Sequence, residues 1–584
     1  MQFIVNGISL DGYFVEGINC SQGRIIWENM RVWKNLIATA IFLFFSPLLC
    51  VEFQLKVSQL NGKDIPSCLL PNATIPCKSL EYVLADLKHS TKFQDQNSFY
   101  SIMMLDRTYI IEKQLKISQP VENVSLSIES EKGRKTAIYC NGPEAGVTIG
   151  SQFLPVPIIV ATNIHFTRIS FEACGPKHGA AVLVWNSRNI TFRSCSFRNN
   201  TNAGLNVFDS TVNIDRCVFA NNTSNVKTRQ MVFQPGVSSA GAGLGVMFIH
   251  GVNRTVIVTR SKFISNTALF NNTDYYVSPS SNLSTFYNTG GGVLVAFLYI
   301  AKQNYFLLQN STVVTNSATY GGGVFTSYSE SASDNTAILT QVIWRENRGA
   351  QSGGGISVSE WDSSKRSTTI IRDSIVTENW ARRGGGVSTF FMNKLETPGG
   401  STLKFERVRF YSNTGHGSTA VLLSSALPLG YPIASIPEFT NCSITEHVRR
   451  DKTSTSVSSP FTSFRVDIRF KGHNIFARNR ESGAIRVKNS IIHVEGKLEV
   501  RNNTGYMGGG MWLSLSQIKL YPHSELLFVG NTAASNGGAL CVDTFTVHEV
   551  INEYNTGCFL TYRSLNGYEN VPASSWKVRT KTCY

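Results

Sequence analysis

Apolar and polar residues alternate along this chain in segments too short to bury a hydrophobic face on their own. Gly355-Ile-Ser-Val-Ser359 and Gly386-Val-Ser-Thr-Phe390 are two examples, and each begins inside a cluster of glycines. Such segments predict β-strands that become buried only when neighbouring strands stack on them. Although the chain has 584 residues, the pattern favours one repeat structure over several globular domains.

One four-residue pattern recurs: a large apolar residue, two variable residues and then asparagine. A glycine cluster follows most copies, as at Gly321–Gly323, Gly353–Gly355 and Gly384–Gly386. The copies that begin with phenylalanine end at Asn200, Asn222, Asn266, Asn413, Asn479 and Asn531, and those that begin with tryptophan or valine end at Asn316, Asn347, Asn379 and Asn503.

Successive asparagines of this pattern are 22, 44, 50, 31, 32, 34, 66, 24 and 28 residues apart. We interpret 22 residues as one coil of a solenoid, and 44 and 66 as multiples in which the pattern has been lost. Spacings near 31 then indicate one coil with a surface insertion. Leucine-rich repeats and propellers have different signatures and periods.

Coils stacked ~4.8 Å apart form continuous parallel sheets around one core, which the apolar residue of the repeat enters. We expect the asparagine to adopt the left-handed conformation at a corner and to bond the asparagine of the next coil. The glycines allow positive φ and close approach between turns. The sequence therefore predicts an all-β, parallel β-helix solenoid.

The N-terminal region predicts a targeting segment. Arg31 and Lys34 precede an apolar stretch over residues 36–50 that is short for a membrane span. We interpret residues 30–50 as a signal peptide with translation starting at Met30, which makes residues 1–29 a non-coding or pre-signal segment. A signal anchor is the alternative.

The remaining chain divides into three predicted parts. Residues 51–100 form an N-terminal cap, in which Cys77–Lys88 reads as a short amphipathic helix covering the first coil. Residues 101–545 form the β-helix. Residues 546–584 lack the repeat pattern, and we expect an irregular C-terminal tail of a longer protein.

Glycosylation motifs point to the secretory pathway, since twelve Asn-x-Ser/Thr sequons follow Met30. Four of them, at Asn199, Asn221, Asn222 and Asn502, fall within the repeat pattern, where a structural asparagine would be buried. We expect glycans at Asn72, Asn123, Asn189, Asn253, Asn271, Asn282, Asn310 and Asn441.

The twelve cysteines include no Cys-x-x-Cys metal pattern, and Cys68 with Cys77 is the candidate disulfide. Cys174, Cys195 and Cys217 are about one coil apart. They either stack and pair, or leave a buried thiol. An oxidising compartment fits these features, so we predict a secreted or cell-surface protein.

The net charge of +15 comes from 54 basic and 39 acidic residues, but the basic residues are scattered. Their densest groups are pairs, Arg382-Arg383 and Arg449-Arg450, which solvated surface explains without a ligand. No nucleic-acid-binding motif accompanies them. We expect glycans, or proteins of a cell surface or matrix, as partners, and membrane contact only through a signal anchor or a further C-terminal segment.

The repeat phrases Phe-x-x-Asn and Gly-Gly-x-Ile/Leu, the latter at Gly354–Ile356 and Gly537–Leu540, resemble those of the polymorphic outer-membrane-protein family. More broadly, residues 100 to 545 resemble right-handed β-helix proteins of the pectin-lyase-like superfamily. The resemblance implies a right-handed coil. The chain departs from the bacterial family in its many sequons and in lacking a C-terminal transporter barrel, so the resemblance implies an extracellular relative.

Enzymes of this superfamily often cut acidic polysaccharides. A lyase needs several carboxylates that converge on Ca²⁺ and a basic residue that takes the proton, and a hydrolase needs two or three carboxylates on adjacent coils. The nearest pair here is Asp209 and Asp215. Gly415-His416-Gly417 matches a tripeptide of pectin-degrading hydrolases, but it follows Asn413, where other coils carry glycines, so His416 is a weak catalytic candidate. We identify no catalytic, cofactor-binding or metal-binding residue. A non-enzymatic role in adhesion, recognition or matrix structure is the preferred prediction, and a polysaccharide lyase or glycoside hydrolase is the alternative.

Overall fold

The computed structural model describes residues 51–580 with interruptions at 71–72, 90–97, 119–124, 144, 152–160, 176–179, 225–240, 269–288, 330, 362–363, 392–400, 426–434, 448–458, 481–482, 537, 543–548, 553–558 and 564–576. The predicted signal peptide and the segment before it lie outside these residues. No helix in the described part of the chain is long and apolar enough to cross a membrane.

The described chain is a right-handed parallel β-helix, as predicted. The described strand pairings that join one coil to the next are parallel, and most keep one register throughout, for example Thr336–Thr340 on Thr368–Arg372. Register shifts occur in the pairings of Ser317–Tyr320 with Arg348–Ser352 and of Arg348–Ser352 with Trp380–Arg383, among others. A helix, Leu80–His89, and a 3-10 turn, Pro66–Leu69, lie at the N-terminal end.

A 30-stranded main sheet receives up to two strands from each coil. Its strands are Val51–Val57, Ser98–Met104, Thr108–Ile111, Ser125–Ser130, Thr136–Cys140, Ala161–Thr167, Ile169–Glu172, Ser187–Arg193, Ser196–Arg198, Val212–Asp215, Val218–Ala220, Thr255–Thr259, Lys262–Ile264, Tyr305–Gln309, Thr312–Val314, Thr336–Thr340, Ile343–Arg345, Thr368–Arg372, Ile375–Thr377, Thr402–Glu406, Arg409–Tyr411, Glu438–Thr440, Ser443–Thr445, Ile468–Ala477, Ile491–Arg501, Gln517–Leu520, Glu525–Val529, Glu549–Asn552, Phe559–Arg563 and Lys577–Thr580.

Three smaller sheets complete the coils. The second sheet comprises Gln114–Ile117, Gly146–Ile149, Val182–Trp185, Leu205–Phe208, Leu244–Phe248, Val293–Phe297, Val324–Tyr328, Ile356–Glu360, Val387–Phe391, Ser418–Ser425, Ser459–Phe464, Ile485–Lys488, Met511–Ser514 and Leu540–Val542. The third sheet comprises Thr267–Ala268, Ser317–Tyr320, Arg348–Ser352, Trp380–Arg383 and Thr414–Gly415, and a fourth pairs Thr504–Met507 with Thr532–Asn536.

The core runs along the solenoid axis and is filled by the apolar residues of the repeat. Phe171, Phe197, Phe219 and Phe263 stack ring on ring through four coils, with centroids 4.7–5.2 Å apart. Stacking of this kind adds to the area each ring buries. The predicted interior position of the repeat phenylalanine is therefore confirmed here.

A column of buried asparagines holds the coils in register. Wherever two asparagines follow each other in the column, the Nδ2 of the first donates to the Oδ1 of the second, at 2.8 Å from Asn200 to Asn222 and 2.9 Å from Asn347 to Asn379. The predicted asparagine–asparagine bond is confirmed. The predicted conformation is wrong, because the left-handed residue is the one before each column member, such as Asn199 and Glu378.

Coil lengths differ from the interpretation of the spacings. Asn222 bonds Asn266 directly, so the 44-residue spacing is one long coil and not two. The 66-residue spacing contains two coils, with His447 in the column between Asn413 and Asn479. Long insertions and one substituted column residue produced both misreadings.

The ends of the solenoid differ from the prediction in detail. The main sheet begins with Val51–Val57, ahead of the capping helix, whose buried residues Leu80 and Val83 face the core. At the other end, strands within residues 546–584 extend the main sheet, where the sequence predicted an irregular tail. Glu549–Asn552 and Phe559–Arg563 are rich in β-favouring residues but lack the repeat phrases.

Candidate recognition surface

The third sheet forms a narrow face on five successive coils. Each strand starts directly after a column asparagine and ends before the glycine corner that leads into the second sheet. Its inward positions are occupied by small residues, such as Ala318, Gly349 and Ala381, which pair in register. Its larger side chains therefore face solvent.

Glycine is required where this sheet turns into the second. Gly353 has a φ of 63°, in the left-handed region, and the next residue lies against the following coil. A Cβ on Gly354 would approach the carbonyl oxygen of Trp380 to 2.5 Å and that of Gly385 to 2.3 Å. The glycine cluster thus lets the third sheet pack tightly.

An aromatic and basic group stands on this face. The guanidinium carbon of Arg348 lies 4.7 Å from the ring centroid of Trp380, in a cation–π contact, and the His416 ring meets the same indole edge-on at 6.3 Å. Arg382 and Arg383 extend the group on the Trp380 strand. We call Arg348, Trp380, Arg382, Arg383 and His416 the Trp380 cluster.

The register explains how these residues meet. Arg348 pairs with Trp380, and Trp380 pairs with Thr414, so one coil step separates each from the next. The backbone N–H groups of His416 and Gly417 both donate to the carbonyl of Arg382, at 3.2 and 3.0 Å. Three adjacent coils, ~4.8 Å apart, therefore supply one compact group.

The Trp380 cluster carries positive charge without internal compensation. Arg348, Arg382 and Arg383 are exposed, and none forms an ion pair within the described part of the chain. Glu346 and Glu378 lie at the neighbouring corner, where Glu346 pairs with Arg345 at 3.3 Å. Burial raises the pKa of Tyr320 on the same sheet, while the charge of Arg383 acts to lower it. An indole among unpaired guanidinium groups suits a ligand with a flat face and negative charge.

His416 does not occupy the position that the sequence predicted. In its coil, the corner that other coils form with glycines is formed by Ser418–Ala420. The carbonyls of Ser418 and Thr419 accept hydrogen bonds from the backbone N–H groups of Gly385 and Gly386. Gly415 pairs with Ala381, which places His416 beside Arg382. The weak catalytic candidate therefore belongs to the Trp380 cluster. The error arose because the tripeptide begins two residues after Asn413, whereas the glycine corners begin five residues after Asn316 and Asn379, so its glycines precede the corner.

The carboxylates considered for catalysis have structural partners. Asp209 is buried and accepts the backbone N–H groups of Ile249 and Gly251 at 2.7 and 2.8 Å. Its pKa is raised by burial, against these hydrogen bonds. Asp215 binds Arg260 at 2.7 Å. Asp209 thus holds the loop at Ile249–Gly251, and Asp215 forms an ion pair on the surface of the main sheet. The two carboxylates have separate structural partners.

A second group of carboxylates lies on the main sheet in an ion-pair network. Lys471 and Arg469 lie between Glu438 and Glu495, with contacts of 3.0–4.0 Å. Burial acts to raise the pKa of Glu438, but the hydrogen bond and charge of Lys471 outweigh it and lower the pKa. An ionised, paired glutamate is a poor general acid. Within the described residues, no three His, Cys, Asp or Glu side chains come together as a metal site.

The described glycosylation residues share one local geometry. Asn189, Asn253, Asn310 and Asn441 are all exposed and all left-handed, with φ between 49° and 55°. Asn222, which the sequence set aside, is a buried member of the asparagine column. The other expected sites, Asn72, Asn123, Asn271 and Asn282, lie outside the described residues.

The cysteines form two disulfides in the described chain. Cys68 and Cys77 are bonded, with Cα atoms 5.0 Å apart, and Cys140 is bonded to Cys174 at 4.7 Å. Cys174 is therefore not stacked with Cys195 and Cys217, which are buried thiols at a different corner. The sequence contained no signal for the partner of Cys174, because Cys140 precedes the first copy of the repeat.

A match to a family model supports the architecture. The family model for the right handed beta helix region matches residues 144–285. The surface adhesin PfbA of Streptococcus pneumoniae is similar in structure, with 10% identity over 74% of this chain and 91% of that one and a TM-score of 0.34. The Dettilon tailspike protein has a TM-score of 0.27 and 10% identity over 79% of this chain and 64% of that one.

A lacto-N-biosidase from Eubacterium ramulus is also similar, with a TM-score of 0.25 and 10% identity over 73% of this chain and 64% of that one. No curated protein matches the sequence significantly.

Proposed function

We propose that this protein is a non-enzymatic, extracellular or cell-surface β-solenoid that recognises acidic glycans through the Trp380 cluster. The observation that carries the proposal is the contact of Trp380 with Arg348, together with two further exposed arginines that have no acidic partner in the described chain. Indole rings bind the apolar faces of sugars, and guanidinium groups bind carboxylate or sulfate.

The size and rigidity of the surface support a glycan over a protein partner. The Trp380 cluster spans three coils, whereas a standard protein interface buries roughly 800 Å² on each side. The backbone beneath the cluster is fixed by strand pairing and by the asparagine column. Little ordering is therefore needed on binding, which favours a small, repetitive ligand.

The extracellular setting is part of the same proposal. The Cys68–Cys77 and Cys140–Cys174 disulfides fit an oxidising compartment, and exposed sequons such as Asn189 and Asn310 stand ready for glycosylation there. The structural partners of Asp209, Asp215 and Glu438 favour binding over catalysis.

Binding of the secreted full-length chain to polygalacturonate, chondroitin sulfate and the neutral polysaccharide xylan tests this function. The double variant R348A/R382A is expected to weaken binding to the acidic polymers about tenfold or more, because each lost charge-assisted contact is worth about 1.5–3 kcal/mol. W380A is expected to weaken binding as well, because it removes the aromatic face on which a sugar packs. Xylan is expected to bind weakly to every variant.

A matched control is R193A/R198A, which removes two exposed arginines from the main sheet. If this control weakens binding as much as R348A/R382A, the attraction is non-specific charge and the proposed surface is wrong. Release of shortened or unsaturated oligosaccharides from any polymer would instead identify an enzyme.

A further inference from the structure

The solvent face of the main sheet carries an aliphatic stripe. Ile257, Leu307, Ile338 and Ile370 occupy one position on four successive coils and pair in register. Their strand neighbours point into the core and are buried, whereas these four are half-buried on the outside. The stripe is bounded by polar residues, Asn213 on one side and Lys404 on the other.

A second pair of aliphatic residues widens the stripe across the next corner. Ile343 and Ile375 pair in register on the solvent face, and Ile343 is 42% exposed. Thr312 precedes them in this column and Arg409 follows them. An exposed corner that carries Asn310 and Gln341 separates the two columns. We call the six residues on either side of this corner the aliphatic stripe, and apolar surface promotes association when it stays uncovered.

A sequon lies within this surface. Asn310 occupies the corner between the Leu307 and Thr312 columns, and the equivalent corner of the next coil is Gln341, between Ile338 and Ile343. Asn310 is exposed and left-handed, with a φ of 49°, so its side chain is accessible between the two columns of the aliphatic stripe. Asn310-Ser311-Thr312 is a complete acceptor motif.

We propose that an N-linked glycan on Asn310 covers the aliphatic stripe and keeps this face of the solenoid from self-association. The apolar faces and acetyl groups of the first sugars lie over the neighbouring isoleucines, and the hydroxyl groups remain in water. The covering group is thus supplied by the chain itself. The inference is independent of the Trp380 cluster, which lies on another sheet.

The test uses the full chain secreted from a eukaryotic host, beginning with glycopeptide mass spectrometry of Asn310. N310Q removes the glycan with little backbone strain, because Gln341 holds the same left-handed corner one coil on. T312A removes the acceptor motif and leaves Asn310 in place. Both variants are expected to move from monomer to larger species in size-exclusion chromatography and to bind more of a hydrophobic dye.

Controls separate this effect from a general loss of carbohydrate. N441Q removes the glycan expected at the same exposed left-handed corner four coils further on, away from the aliphatic stripe, and is expected to remain monomeric. Adding I338T and I343T to N310Q is expected to restore the monomer, since threonine already occupies neighbouring outward positions such as Thr336.

An unoccupied Asn310 in the secreted protein overturns the proposal, and so does a monomeric, dye-silent N310Q. Equal association of N441Q overturns it as well. If N310Q and T312A are not secreted, enzymatic deglycosylation of the folded wild-type protein gives the same readout, with association expected and a persistent monomer contradicting the proposal.

Discussion

His447 is the residue at which the asparagine column is interrupted. It is fully buried, its Nδ1 lies 3.2 Å from the carbonyl oxygen of Asn413, and its Nε2 has no hydrogen-bond partner among the described residues. Burial lowers the pKa of His447 to about 4, against the backbone carbonyls of Asn413 and Phe410, which act to raise it. A neutral imidazole therefore occupies a position that elsewhere holds a fully bonded amide.

This substitution makes the fold acid-sensitive at one coil. Because the folded pKa is below the ordinary value of 6.5, the unfolded chain takes up the proton first, and stability is lost as the pH falls from about 6.5 to about 4. We expect H447N to complete the column, raise the free energy of unfolding by about 1 kcal/mol at pH 7, and remove up to about 3 kcal/mol of this acid dependence. Denaturation at pH 7 and pH 4 measures both effects, and an unchanged difference between the two pH values contradicts this role.

Glu360 has the opposite pH dependence. Its carboxyl is buried at the end of an inward column, between Tyr328 and Phe391, and accepts a hydrogen bond from Ser435 at 2.9 Å. Burial raises the pKa of Glu360 to about 7, against this hydrogen bond. The folded state keeps the proton longer than the unfolded state, so stability falls as the pH rises from about 4.5 to about 7.

The variant E360Q keeps the shape and removes the charge. We expect the denaturation midpoint of E360Q to change less between pH 4.5 and pH 7 than that of the wild type. Because the other titratable groups are common to both proteins, the difference between the two pH profiles is the contribution of Glu360. A wild-type profile identical to that of E360Q would show that Glu360 ionises without cost.

At the scale of the element, the asparagine column carries the register of the solenoid. Asn379 accepts from the backbone N–H and the Nδ2 of Asn347, and its own Nδ2 donates to the Trp344 carbonyl and to Asn413. N379A leaves several buried groups unpaired, each costing about 1–3 kcal/mol. We expect a clear fall in the denaturation midpoint.

The adjacent variant E378N serves as the control for N379A. Glu378 is exposed and left-handed, and asparagine holds that corner in other coils, as Asn199 and Asn502 do. We expect E378N to be neutral or slightly stabilising. Equal destabilisation by the two variants would assign the effect to the corner and not to the column.

The sequence predicted these elements well where the local pattern was intact. The phenylalanine and glycine positions each have a physical reason that a few residues reveal. The asparagine position was recognised from its bond to the next coil, although the left-handed conformation belongs to the residue before it. His447 could not be recognised, because one substitution removed the signature, and the 44-residue coil could not be distinguished from two short coils. A second column, Asn304 with Asn335, was missed because only a small apolar residue, Ala301 or Ala332, stands three positions before each asparagine.

The Trp380 cluster shows why a site is harder to predict than a strand. The sequence shows Arg382-Arg383 as a pair. The contact of Arg348 with Trp380, which completes the cluster, can be predicted only when the length of the coil between them is known. A ligand surface on a solenoid is assembled across coils, so its recognition depends on a register that the insertions conceal.

For the whole molecule, each coil contacts mainly the coils beside it, and stability is the sum of such neighbour contacts. We expect G354A, whose Cβ would clash with the next coil, to reduce hydrogen-exchange protection in the strands from Ser317 to Phe391. Protection in the strands from Ile485 to Val529 is expected to remain as in the wild type. A uniform loss of protection would instead show that the solenoid unfolds as one cooperative unit.

The asparagine column has a consequence for how such a chain changes over evolution. The same hydrogen bond joins column members 22 residues apart, at Asn200 and Asn222, and 50 residues apart, at Asn266 and Asn316. The column therefore fixes the register between neighbouring coils once per turn, whatever the length of the chain between two column asparagines. Loops can be gained, lost or exchanged at one coil without a change in the register of its neighbours. New binding segments can therefore evolve in one coil at a time.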